Sequence, residues 1–160
     1  SEIERALKDG MGVVSSVLKD KKILPGAGAI ELELAKKLRE FSRELGGREQ
    51  LAVDEFANAL EFIPVTLAEN AGLDPIDVLT ELRARHMKGE VNSGINLLTG
   101  KIEDSINAGI IEPIRIKQQA IDSATEVAVM ILRIDDVIAA GNKGGSSGGR
   151  GMPSDMSEME

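Results

Sequence analysis

The sequence predicts a mainly α-helical protein. Apolar residues recur at intervals of three and four along most of the chain, the spacing that lines one face of a helix. Hydrophobic residues make up 42% and charged residues 29% of the 160 positions, a composition that can bury a core. Trp and Tyr are absent and Phe occurs 3 times, so aliphatic side chains must build that core. One main globular unit is expected at this length.

The first half of the chain predicts helices separated by a glycine-rich loop. A stripe of apolar residues predicts a helix over 3–18. Residues 21–28 are expected to form a loop or hinge, because Pro25 lacks a backbone donor and glycine opens unusual conformations. The next apolar stripe predicts a helix over 29–45, which the glycines that follow it would end.

Two further helices are predicted before residue 90. Residues 49–71 are apolar on all sides, which indicates a helix surrounded by protein, and Pro64 should kink it. Asp74 followed by Pro75 is a helix start, since Asp caps and Pro suits the first turn. This helix is expected to run to His86, whose side chain should cap its end.

The second half predicts a mixture of elements. Helical periodicity fails over residues 90–113, where Asn, Ser and Gly interrupt short apolar pairs, so a small hairpin with a following turn is expected. Residues 114–130 predict another buried helix, and the β-branched run 131–138 predicts a C-terminal strand. Residues 141–160 are rich in Gly, Ser and Met and predict a disordered tail.

Charge and composition exclude several classes of function. The net charge of -8 disfavours nucleic acid and anionic membrane surfaces as partners. The absence of Cys removes thiol chemistry, and His86 is the single histidine, so no metal site is expected. The acidic pair Asp135–Asp136 is interpreted as structural. No apolar run approaches the ~20 residues of a membrane span, so a cytoplasmic protein is expected.

Two features could carry chemistry. Asp9 points away from the apolar stripe of its helix, and periodicity alone favours a solvated carboxylate there. Gly26-Ala27-Gly28 precedes a helix, where backbone could approach a nucleotide and a helix start favours anions. No Gly-Lys-Ser/Thr follows, so this is not a P-loop, and an ordinary helix-entry loop remains the alternative.

Several segments together resemble the C-terminal third of group II chaperonins, the archaeal thermosome and its eukaryotic cytosolic relative. The matching segments are Glu4-Arg5-Ala6-Leu7-Lys8-Asp9, Leu24-Pro25-Gly26-Ala27-Gly28-Ala29, Arg48-Glu49-Gln50-Leu51-Ala52, Thr66-Leu67-Ala68-Glu69-Asn70-Ala71-Gly72-Leu73-Asp74-Pro75, Ile111-Glu112-Pro113 and Leu132-Arg133-Ile134-Asp135-Asp136-Val137-Ile138. The resemblance spans nearly the whole chain before the tail.

The resemblance implies a domain organisation. Residues 1–22 would be the helix that returns through the intermediate domain, and 23–140 would be the C-terminal half of the equatorial ATP-binding domain. Residues 141–160 would form the tail, and the strand over 131–138 would join a sheet shared between neighbouring subunits. The abrupt start of the sequence suggests a piece of a longer protein.

The resemblance also implies a set of site residues. Asp9 would be the catalytic aspartate that orients the attacking water. The residues implied to bind ATP are Gly26, Ala27 and Gly28 beside the ribose, Gly94 and Ile95 at the adenine, and Glu112 at the ribose hydroxyls. Ala27 departs from the all-glycine form of the family. ATP with Mg²⁺ is the implied cofactor set, and the family's Gly-Asp-Gly-Thr-Thr magnesium motif is absent from this sequence.

The implied function is ATP-driven protein folding in a double ring of chaperonin subunits. Unfolded clients would bind an apical domain that this sequence lacks, so the chain alone is expected to be inactive. The alternative is a non-enzymatic helical interaction module, which composition alone supports equally well. A Gly-Asp-Gly-Thr-Thr motif upstream would distinguish the two.

Overall fold

The computed structural model describes residues 1–134 and confirms the mainly α-helical class. Its elements, in chain order, are α1 Glu2–Asp20, β1 Ile23–Pro25, α2 Ala29–Ser42, α3 Gly47–Asn70, α4 Pro75–Met87, β2 Ser93–Asn96, β3 Lys101–Asp104, β4 Ile111–Pro113 and α5 Ile114–Leu132. The described part of the chain divides into two units, with the boundary between Ala124 and Thr125. Within the described residues, no helix has both the length and the apolar character needed to cross a bilayer.

Helix α1 buries none of its residues. The Ser1 side chain caps it by accepting a hydrogen bond from the Glu4 backbone N–H at 3.4 Å. Its last turn closes at Lys21, which adopts a left-handed conformation with φ 51° and donates to the Val17 carbonyl. Its apolar stripe faces solvent; the exposed residues are Ile3, Leu7, Met11, Val14 and Leu18.

Helices α2, α3 and α4 and the β2–β3 hairpin enclose the core. One buried cluster joins a residue from each of these four parts: Leu32, Ala68, Leu82 and Ile95. A second joins α2 to α3 through Ala35, Ala57 and Leu60, with Ile121 of α5 packed against it. Small alanines at the helix contacts let the backbones approach closely, which suits a core without Trp or Tyr.

Helix α3 continues through the buried Pro64. A proline in a helix interior removes one backbone donor. The same residue contacts the start of α2, because an added Cβ at Gly28 would lie only 2.8 Å from the Pro64 Cβ. Glycine at position 28 therefore permits the close approach of the α2 start to α3.

The predicted loop over 21–28 is partly a strand. Residues 23–25 form β1, which pairs antiparallel with β4 in the register Ile23↔Pro113, Leu24↔Glu112 and Pro25↔Ile111. No local pattern announces this pairing, because the partner strand lies far along the chain. The predicted hairpin is confirmed as β2 paired with β3, with Gly94 opposite Glu103 and Ile95 opposite Ile102.

The predicted C-terminal strand over 131–138 is wrong for its first four residues. Ile131 and Leu132 belong to α5, and residues 133 and 134 are not in a strand. The helical spacing of apolar residues continues through this segment and outweighs the β-branched composition of a short run. Residues 135–138 of the predicted strand, Asp135–Asp136 and the predicted tail over 141–160 lie outside the described residues. The domain boundaries after residues 22 and 140 stay predictions.

Candidate functional site

The loop between β1 and α2 has an unusual backbone. Ala27 and Gly28 adopt positive φ values of 60° and 80°. Such a conformation costs a residue with a Cβ about 1–2 kcal/mol and costs glycine little. Two hydrogen bonds hold the loop: Gly26 N–H donates to the Ile110 carbonyl at 3.0 Å, and Ala29 N–H donates to the Gly26 carbonyl at 3.2 Å.

The β2–β3 hairpin packs directly onto this loop. Ile95 N–H donates to the Ala27 carbonyl at 3.0 Å, and the Ser105 hydroxyl donates to the Gly26 carbonyl at 3.2 Å. An added Cβ at Gly94 would lie 2.9 Å from both of these carbonyl oxygens and would overlap the Ser105 hydroxyl. The loop and the hairpin can meet in this way only because residue 94 has no side chain.

Strand β4 completes the cluster. An added Cβ at Gly26 would lie 3.1 Å from Glu112 Oε1 and 3.2 Å from the Ile110 side chain. The structure therefore brings together the residues of the predicted ATP site from separate segments: Gly26, Ala27, Gly28, Gly94, Ile95 and Glu112. We name these residues the glycine-loop cluster. At each of its three glycines, atoms of other residues occupy the space that a side chain would fill.

The glycine-loop cluster offers both donors and an acceptor. The backbone N–H groups of Ala27 and Gly28 donate to no other residue within 1–134. Glu112 Oε1 likewise accepts no hydrogen bond from the described residues, whereas Oε2 is held by Lys117 at 2.6 Å. Free donors at a helix start bind anionic or carbonyl oxygens, and a free carboxylate oxygen binds hydroxyls. The cluster fits a ligand that has both kinds of group.

Lys117 links Glu112 to a second, fully buried carboxylate. Its ammonium contacts Glu31 Oε1 as well as Glu112, and the Glu31 side chain is 1% exposed. Glu31 Oε2 is buried without a hydrogen-bond partner. Burial alone would lower the pKa of Lys117, but the hydrogen bonds to Glu112 and Glu31 outweigh it and raise the pKa. Lys117 therefore stays charged between two carboxylates.

Asp9 is not part of the glycine-loop cluster in this structure. It is exposed on α1, and no hydrogen bond or ion pair joins its carboxylate to another described residue. At 1.5 Å per residue, it lies about 16 Å along the helix from Asp20. Arg115 of α5 donates two hydrogen bonds of 2.6 and 2.8 Å to the Asp20 carboxylate. These hydrogen bonds lower the pKa of Asp20.

The sequence predicted that the His86 side chain caps the end of α4, and this prediction is wrong. Its ring is 1% exposed, and its nitrogens contact Glu33 Oε2 at 3.0 Å and the Ser93 carbonyl at 2.9 Å. Lys36 caps the helix end instead by donating to the His86 carbonyl at 2.9 Å. Burial would raise the pKa of Glu33, yet hydrogen bonds from His86 and charge from Lys36 lower it. The side chain faces α2 and the hairpin, which periodicity alone did not reveal.

A second unforeseen network joins the three core helices. Glu61 of α3 is buried and receives hydrogen bonds from Arg39 of α2 and Arg83 of α4, including one of 3.0 Å from Arg83 Nε. Burial would raise the pKa of Glu61, but these arginines outweigh burial and lower it. All three residues line a cleft of about 460 Å³. No predicted site residue lines this cleft, so we assign the network to stability.

The described residues do not form a metal centre. Across residues 1–134, no group of three His, Asp or Glu side chains could hold a metal ion. These residues therefore offer no ready-made protein cage for a metal ion, which is the kind of site that Mg²⁺ bound with a nucleotide does not require.

Comparison with known proteins identifies the relatives of this chain. The model of the TCP-1/cpn60 chaperonin family matches residues 1–142. The chain is 60% identical over 148 residues to thermosome subunit 1 of Haloferax volcanii, covering 92% of this chain and 26% of that protein. It is 58% identical over 156 residues to thermosome subunit beta of Archaeoglobus fulgidus, covering 95% and 28% respectively.

A solved structure shows the same fold. The open-state monomer of a group II chaperonin from Methanococcoides burtonii matches with a TM-score of 0.76 and 54% sequence identity, over 82% of this chain and 33% of that one. The chain thus spans roughly a quarter to a third of the length of these relatives. The resemblance inferred from sequence motifs is confirmed.

Proposed function

This chain belongs to the TCP-1/cpn60 chaperonin family, and we propose that it supplies part of the ATP site of a protein-folding chaperonin subunit. The observation that carries the proposal is the convergence of three distant segments, residues 26–28, 94–95 and 112, in the glycine-loop cluster. Hydrogen bonds from Ile95 N–H to the Ala27 carbonyl and from Gly26 N–H to the Ile110 carbonyl already join the loop to its neighbours without a ligand, and such preorganisation lowers the entropic cost of binding.

Each part of the glycine-loop cluster has a role in this proposal. Glu112 Oε1 accepts hydrogen bonds from the ribose hydroxyls, because it is the carboxylate oxygen that Lys117 leaves free. Residues 26–28 pass the ribose with their backbone, and the free N–H groups of Ala27 and Gly28 donate to nucleotide oxygens. The predicted adenine contact by Ile95 does not fit this structure, because its side chain is 0% exposed and packs in the core cluster. In this proposal, the hairpin instead supports the loop from behind.

Asp9 is the proposed catalytic residue. A carboxylate next to the γ-phosphate can accept a proton from the attacking water and orient it for in-line attack. Asp9 is exposed and unpaired among the described residues, so nothing competes for its carboxylate. Hydrolysis in this proposal requires α1 to carry Asp9 to the nucleotide by turning about its base near Asp20.

The wider function follows from the same proposal. ATP hydrolysis, with Mg²⁺ held by other parts of the subunit, would drive closure of a double ring around unfolded proteins. Clients would bind an apical domain, other chaperonin subunits would be the ring partners, and the location would be cytoplasmic. Two of the relatives are named as thermosome subunits, which supports the assembly part of this proposal.

A non-enzymatic interaction module is the second candidate. The observation that favours it is the apolar stripe of α1, where Leu7 is 64% and Leu18 is 71% exposed. A stripe of this kind is normally covered by another helix or subunit. In this alternative, the chain contributes contacts between domains or subunits, and ATP turnover resides elsewhere.

Substitution of Asp9 tests the catalytic role. In a full-length subunit that contains this chain, Asp9→Ala should leave the Kd for ATP within about twofold and slow hydrolysis by about 100-fold or more, because water orientation is lost while nucleotide contacts remain. Glu2→Ala, another exposed carboxylate on α1, serves as the matched control and should retain wild-type turnover. Wild-type turnover in Asp9→Ala would refute the role and favour the interaction module.

A further inference from the structure

The two oxygens of Glu112 differ in their surroundings. Oε2 contacts the Lys117 ammonium at 2.6 Å, whereas Oε1 faces the backbone of Gly26 and has no partner among residues 1–134. A carboxylate on a free side chain can exchange its two oxygens by rotating about its last bond. The contact with Lys117 fixes one oxygen and therefore orients the other.

Lys117 is itself held from a second direction. It projects from α5 and contacts Glu31 in the first turn of α2, so one ammonium connects β4, α5 and α2. The Lys117 side chain is 16% exposed, and Glu31 is 1% exposed. The Glu112 side chain is 33% exposed, so the Glu31 side of this group is the drier one. Charge-assisted hydrogen bonds are short, and they are strongest where water is excluded. The ammonium therefore has little freedom to move away from Glu112.

The charges of this group explain why a cation is needed at position 117. Two carboxylates approach one ammonium, and Glu31 Oε2 remains buried without a hydrogen bond. Removing the ammonium alone would leave Glu31 as an uncompensated buried charge, which is strongly unfavourable. It would also remove the only described contact that holds Glu112 Oε2.

We propose that Lys117 is a positioning residue that makes the nucleotide site selective for a ribose with its hydroxyls. It holds Glu112 so that Oε1 faces the glycine loop as the acceptor for a sugar hydroxyl. This inference rests on the proposed function, and it adds a residue on α5 that does not itself touch the nucleotide. Glu31 contributes by holding Lys117 from the opposite side.

The measurable consequence is a preference for ATP over 2′-deoxy-ATP or 3′-deoxy-ATP, expressed as the ratio of their Kd values. A hydrogen bond to a charged acceptor contributes enough to give a ratio of about 10- to 100-fold. Loss of the orientation of Glu112 should reduce this ratio to within about threefold of unity. A purely structural role for Lys117 would weaken binding of all three nucleotides equally and leave the ratio unchanged.

The test uses Lys117→Met combined with Glu31→Gln in a full-length subunit that contains this chain. The second substitution avoids leaving a lone buried charge. Lys37→Met with Glu40→Gln is the matched control, because this exposed ion pair of 3.0 Å on α2 has the same chemistry but is remote from Glu112. Lys117→Arg should keep the preference, since the guanidinium retains charge and donors. If the double variant does not assemble, Lys117→Gln combined with Glu31→Gln, in which an amide donor replaces the ammonium and no lone buried charge remains, should show the same loss.

The outcomes separate the inference from the proposed function. Loss of the ratio in the Lys117 variants, with retention in the control and in Lys117→Arg, supports the positioning role. A wild-type ratio in the Lys117 variants, while Glu112→Ala loses it, overturns the role of Lys117 and leaves the ribose contact intact. A wild-type ratio in Glu112→Ala, which has no side-chain acceptor, refutes the ribose contact itself.

Discussion

Replacing Gly94 with alanine probes the contact between the hairpin and the glycine loop. The added methyl group would lie 2.9 Å from the carbonyl oxygens of Gly26 and Ala27, and it would also overlap the Ser105 hydroxyl. Backbone carbonyls cannot rotate away as the end of a long side chain can. The hairpin and the loop must therefore separate, and the hydrogen bond of 3.0 Å from Ile95 N–H to the Ala27 carbonyl should break.

The expected cost has two parts. Forcing an extra methyl group into a packed interior costs about 1–3 kcal/mol. Losing one backbone hydrogen bond adds about 1 kcal/mol. The sum of about 2–4 kcal/mol corresponds to a loss of roughly 30- to 700-fold in an opening equilibrium. Gly94 does not have a positive φ, so no backbone strain contributes to this figure.

Amide hydrogen exchange in a full-length subunit measures this cost locally. Protection in peptides covering 23–32 and 92–105 should fall by that factor in Gly94→Ala. A second variant, Gly94→Ala with Ser105→Ala, should recover part of the protection, because the hydroxyl is removed while both carbonyls remain. Wild-type protection in Gly94→Ala would refute the close approach of loop and hairpin.

Two further predictions concern the core. Gly28→Ala should destabilise α2 by about 2–4 kcal/mol, because its methyl group would meet Pro64 at 2.8 Å and φ is 80°. Gly72→Ala, where φ is 71° but the space around the added methyl group is open, should cost only about 1 kcal/mol. Equal losses of amide-exchange protection in Gly28→Ala and Gly72→Ala would contradict the contact with Pro64. Because the folded pKa of Glu61 is lowered, its stabilising effect should be complete above its unfolded pKa of about 4.3 and be lost as the pH falls through the folded value. Glu61→Gln should therefore unfold at a lower temperature than wild type at pH 7. If this difference in unfolding temperature does not become smaller below about pH 4, the ion-pair network is contradicted.

The sequence by itself determined the helices and the family. Asp74 and Pro75 predicted the start of α4, where the Asp74 side chain accepts from the Ile76 and Asp77 backbone N–H groups at 2.8 and 3.1 Å. Helix starts and apolar stripes depend on residues within one or two turns, so they are legible in the chain itself. The motif order likewise indicated the family that the comparison confirmed.

Only the tertiary structure decided which residues meet. Glu31 and Lys117 are 86 positions apart, and neither stood out in the sequence. From sequence alone, both are interpreted as solvent-exposed residues on amphipathic helices, because Glu and Lys are mostly found at the protein surface. His86 was misjudged for the same reason, since its position on α4 was visible but its partners Glu33 and Ser93 were not.

The glycine loop shows where the two kinds of information divide. Gly26 and Gly28 indicated from sequence that the backbone turns closely there, because glycine tolerates shapes that other residues do not. The structure adds that Glu112 and Pro64 occupy the space that side chains at these two positions would fill. Local residue chemistry constrains the conformation of one segment, whereas contacts between distant segments depend on how the helices and strands pack. The composition of the proposed ATP site is therefore suggested by motifs, and the geometry of the glycine-loop cluster is decided by the β1–β4 pairing and the hairpin that packs on the loop.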